Sequence, residues 1–283
     1  LRQNIEAQNI ANSGWNYKSA SSFVTLSFWI RSSVAQNFQG YLRTPDGTSQ
    51  QYPFETGSLS ADTWTKVVKT VPGNSNITVN NDTGTGLMIT FSAFLGTDYT
   101  ANSVTEDAWS AYSSPARVKD NTTTWYTTND ATLEVTGLQL EVGSQATSFE
   151  HLGSGEELAL CQRYFYRIGG KGNAYQLVGN GFIGLNGGTR CAKVVINFPT
   201  TMRATPTLEV IGTDSFSADT GGAAATFPCT ATGTGGGLWS AASTGDIAWL
   251  DFGRTSGGEP AVGTAVVVYT TGAAGECSFT AEL

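Results

Sequence analysis

The sequence predicts an all-β protein made of two antiparallel β-sandwiches joined by a short helix. Charged residues make up only 13% of the chain, against roughly 25% in an ordinary globular domain. Thr, Ser, Asn and Gly take their place; Thr favours strands, while the 34 Gly residues and the frequent Asn favour turns. Short segments then alternate apolar and polar residues with a period of two between clusters of turn chemistry. A length of 283 residues suits about two domains, and either half can bury its own core.

In the first half, TLSFWIRSS (25–33) sets Leu26, Phe28 and Ile30 against Ser27, Trp29 and Arg31. WTKVVKTV (64–71) follows, with Trp64 expected in the core, and Pro72-Gly73-Asn74 ends it. ITVNN (77–81) and LMITFSAFL (87–95) flank Asp82-Thr83-Gly84-Thr85-Gly86, which signals a hairpin. ATLEVTGLQLEVG (131–143) reads as one long strand. Its apolar set changes face at Gly137, from Leu133 and Val135 to Leu138, Leu140 and Val142, as at a bulge. This spacing suggests a jelly-roll-like sandwich over 1–152.

Ser154-Gly155-Glu156-Glu157 fits a capping box and predicts a helix over about 155–162, with the second sandwich filling 153–283. Its strands are QRYFYRI (162–168), AYQLVGNGFIGL (174–185), RCAKVVINFP (190–199), PTLEVIG (206–212), DIAWLDFG (246–253), TAVVVYTT (264–271) and ECSFTAEL (276–283). The last places Cys277, Phe279, Ala281 and Leu283 on one face. Two stretches, 97–130 and the Gly-, Ala-, Ser- and Thr-rich 213–245, read as long loops, the second exposed and mobile.

Several function classes lose support at this level. The net charge is −8, with Lys and Arg scattered singly, so no basic face is offered to nucleic acid or to an anionic membrane. No apolar run reaches the ~18 residues needed to insert into a bilayer. The polar start, LRQNIEAQNI, is no signal peptide, and its strand-like character without Met suggests a fragment of a longer protein. Cys161, Cys191, Cys229 and Cys277 lack metal-ligand spacing and read as reduced, mostly buried thiols. His151, the one histidine, falls in the interdomain hinge without a nucleophile motif. Acids that might flank a glycosidic bond are Glu106 with Asp107, Asp98, and Asp246 with Asp251, but acids in loops usually cap turns or stay solvated. No catalytic residue and no cofactor is expected. The one ion considered is a structural Ca2+, for which Asn81, Asp82 and Asp130 are the weak donor candidates.

Sugar binding needs an exposed ring for the apolar C–H face of a pyranose, beside amides or carboxylates for its hydroxyls. Residues 97–130 offer Tyr99, Trp109, Tyr112, Trp125 and Tyr126 near Asn102 and Asn129, and Trp239 is the second half's counterpart. The competing role for each ring is a plug that ties its loop to the core.

Gln139-Leu140-Glu141-Val142-Gly143, Phe149-Glu150 and Glu157-Leu158-Ala159-Leu160-Cys161-Gln162-Arg163-Tyr164 resemble the junction in bacteriophage tail-fibre and related virion proteins. There, a jelly-roll domain similar to a carbohydrate-binding module runs through a short helix into a second domain. TLSFWIRSS, Thr63-Trp64, Met202-Arg203-Ala204-Thr205-Pro206 and the terminal Ala281-Glu282-Leu283 are similar to further segments of that family, whereas Ser148 and Phe165 stand where its pattern often has Pro and Tyr. The resemblance implies a virion component, often a homotrimer, assembled in the host cytoplasm. Its expected partners are other virion tail proteins and the host-surface polysaccharide. The junction residues themselves look structural: Ser154 and Glu157 cap, Leu158 and Leu160 bury, and Arg163 beside Tyr164 pairs with Glu141, Glu150 or Glu156. Depolymerising fibres are typically parallel β-helices, and this chain lacks their short period. The expected function is therefore tail-fibre attachment without catalysis. The rival readings are a ligand-free structural virion protein, a glycan-degrading tail enzyme and a detached cellular carbohydrate-binding module.

Overall fold

A computed structural model describes residues 1–169, 176–211, 216–221, 226–230, 237–238, 243–254, 260–271 and 275–282. The protein is built mainly of antiparallel sheet, in two compact units, Leu1–His151 and Leu152–Glu282.

The first unit runs β1 (Arg2–Glu6), α1 (Ala7–Ala11), β2 (Phe23–Ser32), β3 (Gln39–Thr44), β4 (Gln50–Glu55), β5 (Thr65–Pro72), β6 (Thr85–Ser92), β7 (Ser110–Ala111), α2 (Thr124–Thr127) and β8 (Leu133–Val142). A five-stranded sheet, β1-β6-β3-β4-β7, and a three-stranded sheet, β5-β2-β8, enclose one core. Leu26, Phe28 and Ile30 of β2 meet Leu42, Tyr52, Phe54, Leu87 and Ile89 there. Phe28 packs edge-on against Phe91 at 4.6 Å between centroids. The alternation read in the sequence holds, since Trp29 points outward and is 42% exposed. So does the bulge: Gly137 has φ 59, and the β2–β8 register shifts between Ser27 and Trp29. Leu133, Val135, Leu138 and Leu140 all pack on the core. Val142, expected with them, is exposed.

Three expectations change. Residues 77–81 form no strand. β6 takes β1 and β3 as its two neighbours instead, and Asp82 closes a turn by accepting the Gly84 N–H at 2.9 Å. Strands β3 and β4 were not foreseen, because their outward residues are buried but polar (Gln39, Gln51) and Pro53 argues against a strand. Trp64 is outside the core, under the Arg31 guanidinium at 5.3 Å.

The second unit opens with α3 (Ser154–Gln162). It continues through β9 (Phe165–Gly169), β10 (Leu177–Asn186), β11 (Thr189–Asn197), β12 (Thr207–Ile211), β13 (Phe216–Asp219), β14 (Thr226–Thr230), β15 (Gly237–Leu238), β16 (Ile247–Arg254), β17 (Ala265–Thr270) and β18 (Glu276–Thr280). The large sheet has the order β11-β10-β17-β13-β14-β16-β15, and β11 also pairs with β16, so the sheet curls until it closes. A three-stranded sheet, β12-β18-β9, adds Cys277 and Phe279 to the same core. Ala281 is buried too, while Leu283 lies outside the described residues. β13, β14 and β15 occupy the stretch expected as a mobile loop. Small residues there read as linker, yet Phe216 and Ala218 are wholly buried.

The helix also differs from expectation. Gly153 is the N-cap and no side chain caps it, so Ser154 sits one position too late for a capping box. Glu157 contributes its N–H to the Gly153 carbonyl at 3.0 Å. Leu158 and Leu160 are 56% and 52% exposed rather than buried. Arg163 donates to the Thr201 carbonyl at 3.3 Å and accepts the Arg203 N–H on its own carbonyl. Of the three glutamates expected as partners of Arg163, Glu141 accepts hydrogen bonds from Gln139 and Thr147, which keep its carboxyl below the usual range. Tyr164 accepts the Ala281 N–H, which ties the last strand to the end of the helix.

The four cysteines are free; Cys161 is exposed and the other three are buried. Burial pushes the Cys229 and Cys277 thiols up to about 12.

On the outer face of β11 and β16, Lys193 and Asp251 form an ion pair at 2.9 Å, with side chains 8% and 4% exposed. Asn186 also donates to Asp251. Gly184 makes room for the Lys193 stem, because a Cβ there would fall 2.6 Å from its Cδ. Removing one partner leaves a charge stranded. Asp251→Ala should therefore cost about 3–5 kcal/mol in denaturant unfolding, whereas the double change Lys193→Met with Asp251→Leu should be neutral or stabilising. Equal losses for both variants would show that packing, not charge, governs the position.

Candidate functional site

In β3, Gly40 and Leu42 face the core, so Tyr41 faces outward; in β6, Leu87, Ile89 and Phe91 face inward, which sends Thr90 and Ser92 outward. Tyr41 and Thr90 are paired across the ladder. This outer face is not open to water throughout, because the chain between β6 and β8 folds across it. Gln51 fastens that loop: its Oε1 accepts the Ser113 N–H at 3.1 Å, and its Nε2 donates to the Ala116 carbonyl at 2.9 Å. Val118, fully buried, adds a bridge to Thr100.

Beside this covered region lies a cleft of about 580 Å3. The sheet contributes Tyr41, Thr90 and Ser92; the loop contributes Phe94, Arg117, Trp125 and Tyr126. Thr90 is 8% exposed, and its hydroxyl finds no hydrogen-bond partner. Tyr126 stacks on Phe94 with centroids 4.2 Å apart and planes 11° apart, yet remains 63% exposed. It also borders a second hollow of about 500 Å3 that runs to Asp130 and Ala131.

The expected aromatics therefore divide. Trp109 donates its indole N–H to Pro72 O at 2.7 Å and packs on Tyr52 at 5.4 Å. Trp125 donates to Thr132 O at 3.0 Å and packs edge-on against Phe38. Both are loop anchors, although Trp125 still contributes to the cleft. Tyr112 lies under the Arg43 guanidinium at 3.8 Å, and Tyr99 under that of Arg117 at 4.4 Å. Trp239 lies outside the described residues. Alternation on β6 already carried the signal for Thr90 and Ser92, while Tyr41 lies on β3, a strand the sequence reading did not foresee. Phe94 continues the face of Thr90 and Ser92 in the expected strand 87–95, whereas Arg117 carried no signal, since only the folded loop brings it to the cleft.

The acids considered for chemistry each have another partner where the structure shows one. Glu106 pairs with Lys119 at 2.8 Å and Asp107 with Lys69 at 3.1 Å. Asp246 accepts the Thr201 hydroxyl, and Asp251 belongs to the buried ion pair. Of the ion candidates, Asp82 closes its turn, Asn81 accepts from Asn12, and Asp130 accepts from Asn129. Among the described residues, no group of three or more His, Cys, Asp or Glu is placed to hold a metal. His151 sits edge-on to Phe149 at 5.1 Å. No helix among the described residues is long and apolar enough to cross a membrane.

No family model, curated protein or solved structure matches this chain. The chemistry of the cleft rests on its own side chains.

The anchor and the rim ring should behave differently. Trp125→Ala should lower unfolding stability by about 2–4 kcal/mol, since it removes core contact and leaves Thr132 O without its donor. Tyr126→Ala should cost only about 0.5–1.5 kcal/mol, the value of an exposed aromatic pair. Chemical denaturation of both variants checks this; a larger loss at Tyr126 would make it a structural ring.

Proposed function

We propose that the chain is the distal, host-recognising part of a bacteriophage tail fibre and that the cleft of its first unit receives a host-surface saccharide. The observation that carries this reading is the Tyr126 ring, held flat on Phe94 at the rim of the cleft. A pyranose presents one apolar face of C–H groups and a periphery of hydroxyls. Tyr126 offers the matching ring, and the stack with Phe94 fixes its orientation before any ligand arrives, which reduces the ordering cost of binding. Behind it, Thr90 and Ser92 offer hydroxyls at the sheet surface. The two-sheet architecture of the first unit supports a jelly-roll carbohydrate-binding module, and the junction motif around 138–164 supports its setting in a virion protein. Recognition is non-covalent, with no turnover of the glycan.

A homotrimer belongs to the same proposal. On the outer face of the large sheet, Phe182, Val195 and Val267 stand 43%, 38% and 41% exposed from adjacent strands β10, β11 and β17. An apolar face of that kind suits contact with further copies. Weak saccharide sites presented together gain roughly 10²–10⁴ in avidity. The same face also suits a ligand-free virion scaffold, so binding decides between the two readings.

With the full chain titrated against purified host-surface polysaccharide, binding is expected, and Tyr126→Ala should weaken it at least about tenfold, the loss of roughly 1.4 kcal/mol. Silence of the wild type towards that polysaccharide, with tight binding to another virion protein, would leave the scaffold role. Sedimentation equilibrium should give three times the chain mass; a monomer would remove the trimer.

A further inference from the structure

We infer that the cleft is specific for an acidic saccharide, one bearing a carboxylate or sulfate, and that Arg117 is the residue that recognises the charge. The inference rests on the saccharide reading above and deepens it. The whole chain carries a net charge of −8, which disfavours an anionic ligand almost anywhere on the surface. The cleft departs from that average. Its lining residues include two arginines, Arg2 and Arg117, and no Asp or Glu. None of the five acids of the same loop lines the cleft: Glu106 and Asp107 are paired with Lys119 and Lys69, Asp120 accepts the Thr100 hydroxyl at 2.7 Å, and Asp130, which accepts from Asn129, lines the adjoining hollow that Tyr126 also borders.

Arg117 is also held ready for such a ligand. Its Nε and Nη2 donate to the carbonyl and hydroxyl of Ser114, both at 3.1 Å. Its guanidinium plane is supported by the Tyr99 ring at 4.4 Å. Those contacts fix the head group from one side and engage no counter-charge. The two N–H groups of Nη1 make no hydrogen bond among the described residues, so Arg117, one of the residues that line the cleft, keeps spare donors for a ligand. A guanidinium of this kind matches a carboxylate or sulfate with parallel, charge-assisted hydrogen bonds, which a neutral hydroxyl cannot replace. Thr90 supplies the second mark of a polar ligand: it is more than nine-tenths buried at the cleft, and its hydroxyl has no partner in the protein. Tyr126 would then stack on the ring while Arg117 takes the acid group on that ring or its neighbour.

The test is a glycan array probed with the full chain and built from matched pairs: uronate oligosaccharides beside their methyl esters, and sulfated oligosaccharides beside their desulfated forms. Arg117→Gln and Arg117→Lys are run in parallel, with their unfolding midpoints measured. The expected result is binding to acidic members, about ten- to a hundredfold weaker for their neutral partners, as for one charge-assisted hydrogen-bonded contact. Arg117→Gln should erase that preference, whereas Arg117→Lys should retain part of it. Equal binding to both members of each pair would overturn the acidic specificity and leave the saccharide reading standing. Binding to acidic members that survives Arg117→Gln unchanged would overturn the role of Arg117. Absence of binding to any member would overturn the saccharide reading itself, and the inference with it.

Discussion

Gln51 holds the first unit's surface together by spending both ends of its amide on the loop that crosses the five-stranded sheet. The underlying constraint is that a buried polar group must be paired or it costs free energy. The outward row of this sheet includes Gln39, Gln51, Thr90 and Ser92, all buried; Gln51 meets the constraint through the loop that lies over it, whereas the Gln39 Oε1 and the Thr90 hydroxyl are left without a partner. The loop in turn has few apolar residues to hold it down. It is held by Gln51 and Gln36, by the Trp109 indole on Pro72, by the Asp107 and Tyr112 N–H groups on Pro53 and Ser49, and by the buried Val118. The cleft borders the part of the sheet that this cover leaves accessible, so the site follows from how the loop is fastened.

The same logic explains why only some of the loop's rings are available to a ligand. An indole whose N–H already closes a hydrogen bond and whose face meets the core contributes to stability. A phenol stacked on another ring at the surface, as Tyr126 is on Phe94, keeps one face and its hydroxyl free for solvent or solute. Arg43 and Arg117 take up the rings of Tyr112 and Tyr99, which turns two expected sugar platforms into supports for guanidinium groups. In the proposed site one of those supports is put to use, since Tyr99 steadies the guanidinium of Arg117, a residue that lines the cleft.

In the second unit, the closing pair β11–β16 puts one face of the rolled sheet in a common core with Cys277 and Phe279 of the small sheet. It leaves the other face carrying both the buried Lys193–Asp251 pair and exposed apolar residues. A sheet that satisfies its edges by closing on itself has little need of a partner for its backbone. Its exposed apolar side chains are what remain to be covered.

The sequence by itself determined that the chain is all-β and where most strands run, because a period of two with turn residues between is a local property that side-chain chemistry writes directly. It determined the bulge at Gly137 and the inward row Leu26, Phe28 and Ile30 for the same reason. Only the tertiary structure decided which strands are neighbours. Residues 77–81 are the neighbour of β6 in sequence, but β6 pairs with β1 and β3, whose contact depends on chain brought from far away in sequence. Only the tertiary structure, too, decided which rings are anchors and which face a cleft. That outcome depends on the hydrogen-bond partner each ring finds once the loop is folded down, and such a partner is fixed in space rather than by any spacing along the chain.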